Sequence, residues 1–292
     1  YGLQNIRQLN DEEDLSRQYF IPEDSLIIME DNLEEYEEKP YQLIKGREGE
    51  DQLYYDMRYA ILSADTTDPA QMDSIRQLID LDNFTDYWIG TIYLGKTTSG
   101  HNQCYWRVRT PDPDSYRFAH DRRWRWLAFD FDNAMFDEAR DDFSFGPYFV
   151  YDGLLRQLWK HPAYVEIFVN RFADLMNSSF LPQRMVGRID SVEQLIAPVM
   201  PYHIARWSTP SSMSDWQDGV DVMRHFAQQR PLSVKEQIKT RFCQSAYYPL
   251  RVDVSDINAG YIRVNSLIID KQLQGVDTSR IYPWTEIGRA HV

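Results

Sequence analysis

Apolar and polar residues change period several times along this chain, and each change predicts an element. Residues 1–9, YGLQNIRQL, alternate well enough for a strand. Asn10, followed by the acids of DEED, predicts the N-cap and first turn of a short helix. SLIIMED reads as a second strand and NLEEYEEKP as a charged connector. Over residues 49–64 the apolar positions Leu53, Met57, Ala60, Ile61 and Ala64 recur at helical spacing. TTDPAQMDSIRQLI predicts another helix, with its proline in the first turn. DLDNFTDYWIGTIYLG follows, with Asp82 as N-cap, Phe84, Trp88, Ile92 and Leu94 buried, and Gly95 as the stop.

After the polar loop KTTSGHNQ, the runs CYWRVRT and RWRWLAFD flank PDPDSYRFAHD, which predicts an antiparallel hairpin. From residue 152 the pattern is helical, over about 152–159, 163–177, 182–205, 214–228 and 232–242. YYPLRVDVSD and GYIRVNSLIID then predict short strands. The fold class is α+β, with a β-hairpin beside a helical body and the start of a β-rich appendage at the end.

Length and composition bound this picture. The chain has 292 residues, enough for one large domain or two smaller ones. No apolar run approaches the roughly 20 residues of a membrane span. The net charge of −14 repels phosphate backbones, which argues against nucleic-acid binding and tolerates divalent metals. Two cysteines, Cys104 and Cys243, make no framework and read as buried thiols, with one disulfide as the alternative. The chain begins without an initiator methionine. Its last residues, EIGRAHV, resemble a translated sequencing adaptor, so residues 286–292 are expected to be a non-native tail on a fragment.

Candidate chemistry collects at the hairpin. The second strand runs into Asp130 and Asp132, one residue apart, then into Asp137, Glu138, Asp141 and Asp142. Crowded carboxylates repel unless a cation or arginine answers them. Hard oxygen ligands of this kind suit Mg²⁺, Mn²⁺ or Ca²⁺; the alternative is a turn cap and an arginine pair. Asn102, on the loop before the partner strand, should fold back near Asp130, with His101 beside it. A carboxylate and an amide oxygen so placed hold Mg²⁺ over ATP in protein kinases. Arg107 and Arg125 could balance the acids, touch phosphate, or pair within the hairpin. Trp106, Trp124 and Trp126 read as packing rather than a sugar platform, and Asp141 and Asp142 as a solvated run.

These residues carry a resemblance. YGLQNIRQLNDEEDLSRQYFI is similar to the WGLYNLREKIDEDYL stretch of the spore coat protein H (CotH) kinase-like family. NFTDYWIGTIYLG, the loop, YWR and WRWLAFDFDNAMF resemble that family's core signature, and RFADLMNSSF, HIARW and FAQQR its helical part. The resemblance covers about residues 1–245. It implies an atypical protein-kinase fold, mainly the helical C-lobe, that transfers phosphate from ATP to serine or threonine of a serine-rich, secreted or surface protein. Mg or Mn would be the metal, and extracellular or cell-surface localisation is expected. Residues 246–285 would begin the β-rich appendage.

By position, Asp130 or Asp132 matches the family's metal acid, with Asp130 favoured. Many members read GNTDWPGNN where this chain reads GKTTSGHN, so their aspartate becomes Thr98 or Ser99. His101 could act as the base instead. The nucleotide-binding lysine of the N-lobe would lie upstream of Tyr1, which predicts poor ATP binding by this fragment alone. A catalytically inactive pseudokinase serving adhesion or scaffolding is the alternative reading.

Overall fold

The computed structural model describes residues 11–31, 40–65, 67–98, 102–112, 117–143, 153–243, 248–249, 258, 260–270 and 286–287. They fall into two compact units, one of residues 7–134 and 145–166, the other of residues 1–6, 135–144 and 167–292. The strand expected over 1–9 and the connector NLEEYEEKP, apart from its final proline, lie outside the described residues. Together the elements are mixed α and β, as expected.

The first unit is built on a four-stranded antiparallel sheet in the order β2-β1-β3-β4. Its strands are β1 (Leu26–Asp31), β2 (Tyr41–Lys45), β3 (Cys104–Val108) and β4 (Arg125–Leu127). The short β2, just after the charged connector, was not anticipated. β1 is central and has four consecutive buried residues, Leu26 to Met29, because both sheet faces are covered. Leu26, Ile28, Cys104, Trp106 and Val108 form one core cluster with Leu15 and Ile21. Leu15 comes from α1 (Glu12–Tyr19), which is capped by Asp11 rather than Asn10.

The other face is aromatic. Tyr54 stacks on Tyr105 at 4.5 Å and meets Trp124 edge-on at 5.0 Å. Tyr54 lies on α2 (Gln52–Leu62), whose buried positions are Tyr54, Met57, Arg58 and Ile61. Leu53 and Ala60, expected inside, are exposed, because the larger tyrosine ring takes the core side. α3 (Pro69–Leu78) leads into α4 (Leu81–Leu94), which buries Phe84, Trp88 and Ile92 and stops at Gly95 in the left-handed conformation. The N-cap of α4 is Asp80, not Asp82. The backbone explains the shift. Asp80 N donates to Trp124 O and Trp124 N to Leu78 O, both at 2.9 Å, so residues 78–80 are fixed as strand-like backbone against Trp124 and the helix starts directly after them.

Side chains engage one residue on each edge strand of this sheet. On β4, Asn83 of α4 receives Trp126 N on Oδ1 at 2.7 Å and donates Nδ2 to Trp126 O at 3.1 Å. On β2, the Tyr55 hydroxyl accepts from Tyr41 N and donates to Tyr41 O. Trp126 is buried, so removing Asn83's amide leaves two backbone groups without partners. Asn83→Ala should therefore cost about 2 kcal/mol in urea unfolding. A change below a few tenths would mean water replaces the amide.

The second unit is helical. α5 (Gly153–Leu158) belongs to the first unit, and the boundary falls within α6 (Pro162–Met176). α7 (Pro182–Ile196) and α8 (Met200–Trp207) replace the single helix expected over 182–205. Pro201 starts α8, where its missing N–H is harmless. Conversely, the two helices expected over 214–228 and 232–242 are one, α9 (Met213–Phe242), with Pro231 inside. Phe226, Arg230, Val234 and Ile238 are buried at four-residue spacing across the proline, so one continuous face holds the helix together.

Arg230 is fully buried and donates to the carbonyls of Glu138 and Arg140 at 2.9 and 2.6 Å. GYIRVNSLIID forms short strands as expected, β6 (Ile262–Val264) and β7 (Leu267–Ile269), paired as a hairpin. Asn265 turns it in the left-handed conformation, and buried Asp174 of α6 accepts from Ser266 N at 2.8 Å. Two short segments, β5 (Tyr248–Pro249) and β8 (Glu286–Ile287), pair antiparallel. Both cysteines are free thiols; Cys104 is buried, while Cys243 is exposed rather than buried.

Asp142 departs from the expected solvated run. It is 2% exposed, whereas Asp141 is exposed. Burial pushes its carboxyl up to about 6, against the opposing pull of Arg140 and Arg230. Between its unfolded value of 3.8 and about 6, the folded chain holds the extra proton. The resulting stabilisation is complete below the lower value and lost as pH rises through about 6. Asp142→Asn should flatten this slope by about 2–3 kcal/mol between pH 4 and 7, read by chemical denaturation. An unchanged slope would refute the assignment.

Candidate functional site

The hairpin brings Asn102 and Asp130 together at the mouth between β1, β3 and β4. β4 ends at Leu127, and the chain leaves it through Ala128 and Phe129 to Asp130, which adopts a left-handed backbone with φ 58°. Asn102, two residues before β3, is left-handed too, with φ 59°. Its Nδ2 donates to Asp130 Oδ2 in a short hydrogen bond. Asp130 is half-buried; Asp132 is exposed, so only the first carboxylate is partly withdrawn from water.

Two residues that the pattern did not single out complete the mouth. Lys96 directly follows the Gly95 cap of α4, and its N–H donates to Thr91 O at 3.1 Å as the helix closes. It is wholly buried, and its ammonium donates to Asn102 O and Phe129 O, each at 3.0 Å. The rings of Phe129 and Phe131 flank it at 5.4 and 5.0 Å. Burial pushes the ammonium down to about 8, against the nearby charges of Asp130, Asp31 and Asp132. Asp31, the last residue of β1, accepts from Gln103 N at 3.1 Å and from the Tyr105 hydroxyl at 2.7 Å. Below it, Thr97 donates from both N and Oγ1 to Asn133 O at 3.1 Å.

The other candidates sit elsewhere. Arg125 is fully buried and paired with Asp80 at 3.0 Å and Asp121 at 2.8 Å. Arg107 lies 5.5 Å from the Trp124 ring. Among the ion pairs of the described residues, neither guanidinium reaches Asp130 or Asp132. Trp106, Trp124 and Trp126 are at most 2% exposed, which makes them core. His101 lies outside the described residues.

The donor set bears on a metal. Among the described residues, no three His, Cys, Asp or Glu side chains stand close enough to cage an ion. Asp130 and Asn102 offer a different arrangement, a carboxylate and an amide within hydrogen-bond reach. Turned about its last torsion, the amide presents oxygen rather than N–H. Two hard protein oxygens fit Mg²⁺, which keeps waters and takes its remaining ligands from substrate phosphates.

A small antiparallel sheet with polar loops meeting at its mouth, together with a chiefly helical remainder, makes a mixed α+β protein that fits a kinase-like fold. Residues 6–234 match the family model described as CotH kinase protein. The chain belongs to the CotH kinase family. A search of curated proteins finds no match. Membership makes this a kinase-like protein, and the family implies ATP, a divalent metal and a protein substrate in general terms. No helix among the described residues is long and apolar enough to cross a membrane.

Proposed function

We propose that the chain is a protein kinase of the CotH type, transferring the γ-phosphate of ATP to serine or threonine of a secreted or surface protein with Mg²⁺ or Mn²⁺. The observation that carries this reading is the meeting of Asn102 and Asp130 at the strand mouth. Those two residues would hold the ion, with Asp132 as a further carboxylate. When bound, such an ion bridges phosphate oxygens and neutralises charge that develops on them. His101 would accept the hydroxyl proton as the substrate oxygen bonds to phosphorus and ADP departs. Arg107 is the candidate for phosphate contact, since Arg125 is committed to Asp80 and Asp121.

One observation favours a second reading, the inactive surface scaffold. The Lys96 ammonium already lies among Asp31, Asp130 and Asp132, and the Asn102 amide turns a donor toward Asp130. Such a mouth has part of its negative charge balanced without a metal. Labelled ATP, Mn²⁺ and a serine-rich acceptor distinguish the two. The parent should label the acceptor, and Asp130→Asn should lower the rate roughly a hundredfold or more. No transfer by the parent supports the scaffold. Equal transfer by both removes Asp130 from catalysis.

A further inference from the structure

Lysine is seldom wholly buried without a partner. Lys96 is wholly buried, yet no carboxylate lies within ion-pair distance of its ammonium among the described residues. Its hydrogen bonds go instead to two backbone carbonyls. One belongs to Asn102 itself; the other, Phe129 O, belongs to the peptide that leads into Asp130. These are the two residues whose side chains meet, and both hold a left-handed backbone. Asparagine and aspartate adopt that conformation more readily than other residues with a Cβ, and here it turns both carbonyl-bearing segments toward the mouth. The Phe129 and Phe131 rings shield the ammonium, and the Gly95 cap aims the Lys96 backbone toward the mouth.

We infer that Lys96 is a positioning residue: its ammonium braces the Asn102 and Phe129 carbonyls and so holds the Asn102 amide against the Asp130 carboxylate. The consequence for an ion rests on the proposed role of that pair, but the brace itself does not. A purely electrostatic role would act in the opposite direction. Deleting a cation beside three acids strengthens their hold on another cation, whereas deleting a brace weakens it.

The experiment compares the full chain with Lys96→Met, which keeps the length and apolar stem and removes the donors. Mn²⁺ alone is titrated, with free Mn²⁺ read by electron paramagnetic resonance. Roughly tenfold or greater weakening is expected, the scale at which supporting residues act on metal ligands. Hydrogen exchange of the Thr97 and Gln103 amides should accelerate by about tenfold, with the β3 amides much less affected. Unchanged exchange at both amides overturns the inference, and so does equal or tighter Mn²⁺ binding by Lys96→Met where Asp130→Asn weakens that binding. Asp130→Asn is titrated alongside. If it binds Mn²⁺ like the parent, the ion-holding reading fails alone, and the exchange result still decides the brace. If Lys96→Met does not fold, the unmodified protein decides through nitrogen-15 lysine spectra. The Lys96 ammonium protons should exchange with water far more slowly than those of exposed Lys160, and equal rates overturn the brace.

Discussion

Arg125→Met should cost about 3–5 kcal/mol of folding stability at neutral pH, measured by chemical denaturation. The guanidinium has no exposed surface and donates to Asp121 through both terminal nitrogens, at 3.0 and 2.8 Å. The same group pairs with Asp80 at 3.0 Å. It lies between the rings of Trp106 and Phe118, at 5.7 and 4.9 Å. Methionine can fill that slot, so packing alone would lose little. The loss comes from Asp80, whose buried carboxylate would lose its principal cation. Asp80→Asn added to Arg125→Met should recover much of the loss, because asparagine also caps α4 without a charge.

Acid sensitivity gives a second signature. Burial pushes Asp121 up, but hydrogen bonds from Arg125 and Arg123 outweigh it and hold the carboxyl well below its usual range. Its stabilisation is present above the unfolded value of 3.8 and is lost as pH falls further. Arg125→Met should weaken that dependence. Half-exposed Arg123→Met, by contrast, should cost under about 1 kcal/mol. A loss below 1 kcal/mol for Arg125→Met would mean that the buried pair contributes nothing net.

The second large effect concerns the mouth. Millimolar Mg²⁺ or Mn²⁺ with ATP should raise the melting temperature of the full chain, and Asp130→Asn should abolish the rise. A ligand at 100 times its Kd stabilises by about 2.7 kcal/mol. For a protein of this size each kcal/mol is about 2–4 °C. Without nucleotide the shift should be smaller, since two protein oxygens leave most of the ion's shell to water and phosphate. Asparagine preserves size and removes charge, so a surviving shift would place the metal elsewhere. Asp132→Asn should lower the shift less than Asp130→Asn, because Asp132 is exposed.

Much of this arrangement was legible in the sequence, for identifiable reasons. α4, its glycine stop and the hairpin follow from strong periodicity and from residues that tolerate few alternatives. Asn102 and Asp130 could be paired because a hairpin must return its ends to one another. Helix starts were less legible. DLD offers two acids, and the choice of Asp80 depends on backbone bonds to Trp124, more than forty residues away. Prolines misled in both directions, since Pro201 begins a helix while Pro231 sits inside one. What decides Pro231 is a buried stripe on either side, a tertiary fact. Lys96 left no trace in the pattern, because a lysine after a helix-ending glycine ordinarily answers the helix dipole at the surface. Only the fold shows that it points inward.

The engaged residues on the sheet edges carry a consequence for association. Asn83 occupies the place of a further strand beside Trp126, and Tyr55 does the same beside Tyr41. Among the described residues the sheet has four strands, and at these two points the edge hydrogen-bonding groups are already used. An extended peptide arriving in solution finds the amide and carbonyl of those residues already engaged, so recruitment by strand addition is blocked there. A sheet plugged at one residue on each of these margins can display a polar mouth at its strand ends while offering a shorter run of free backbone to an arriving strand.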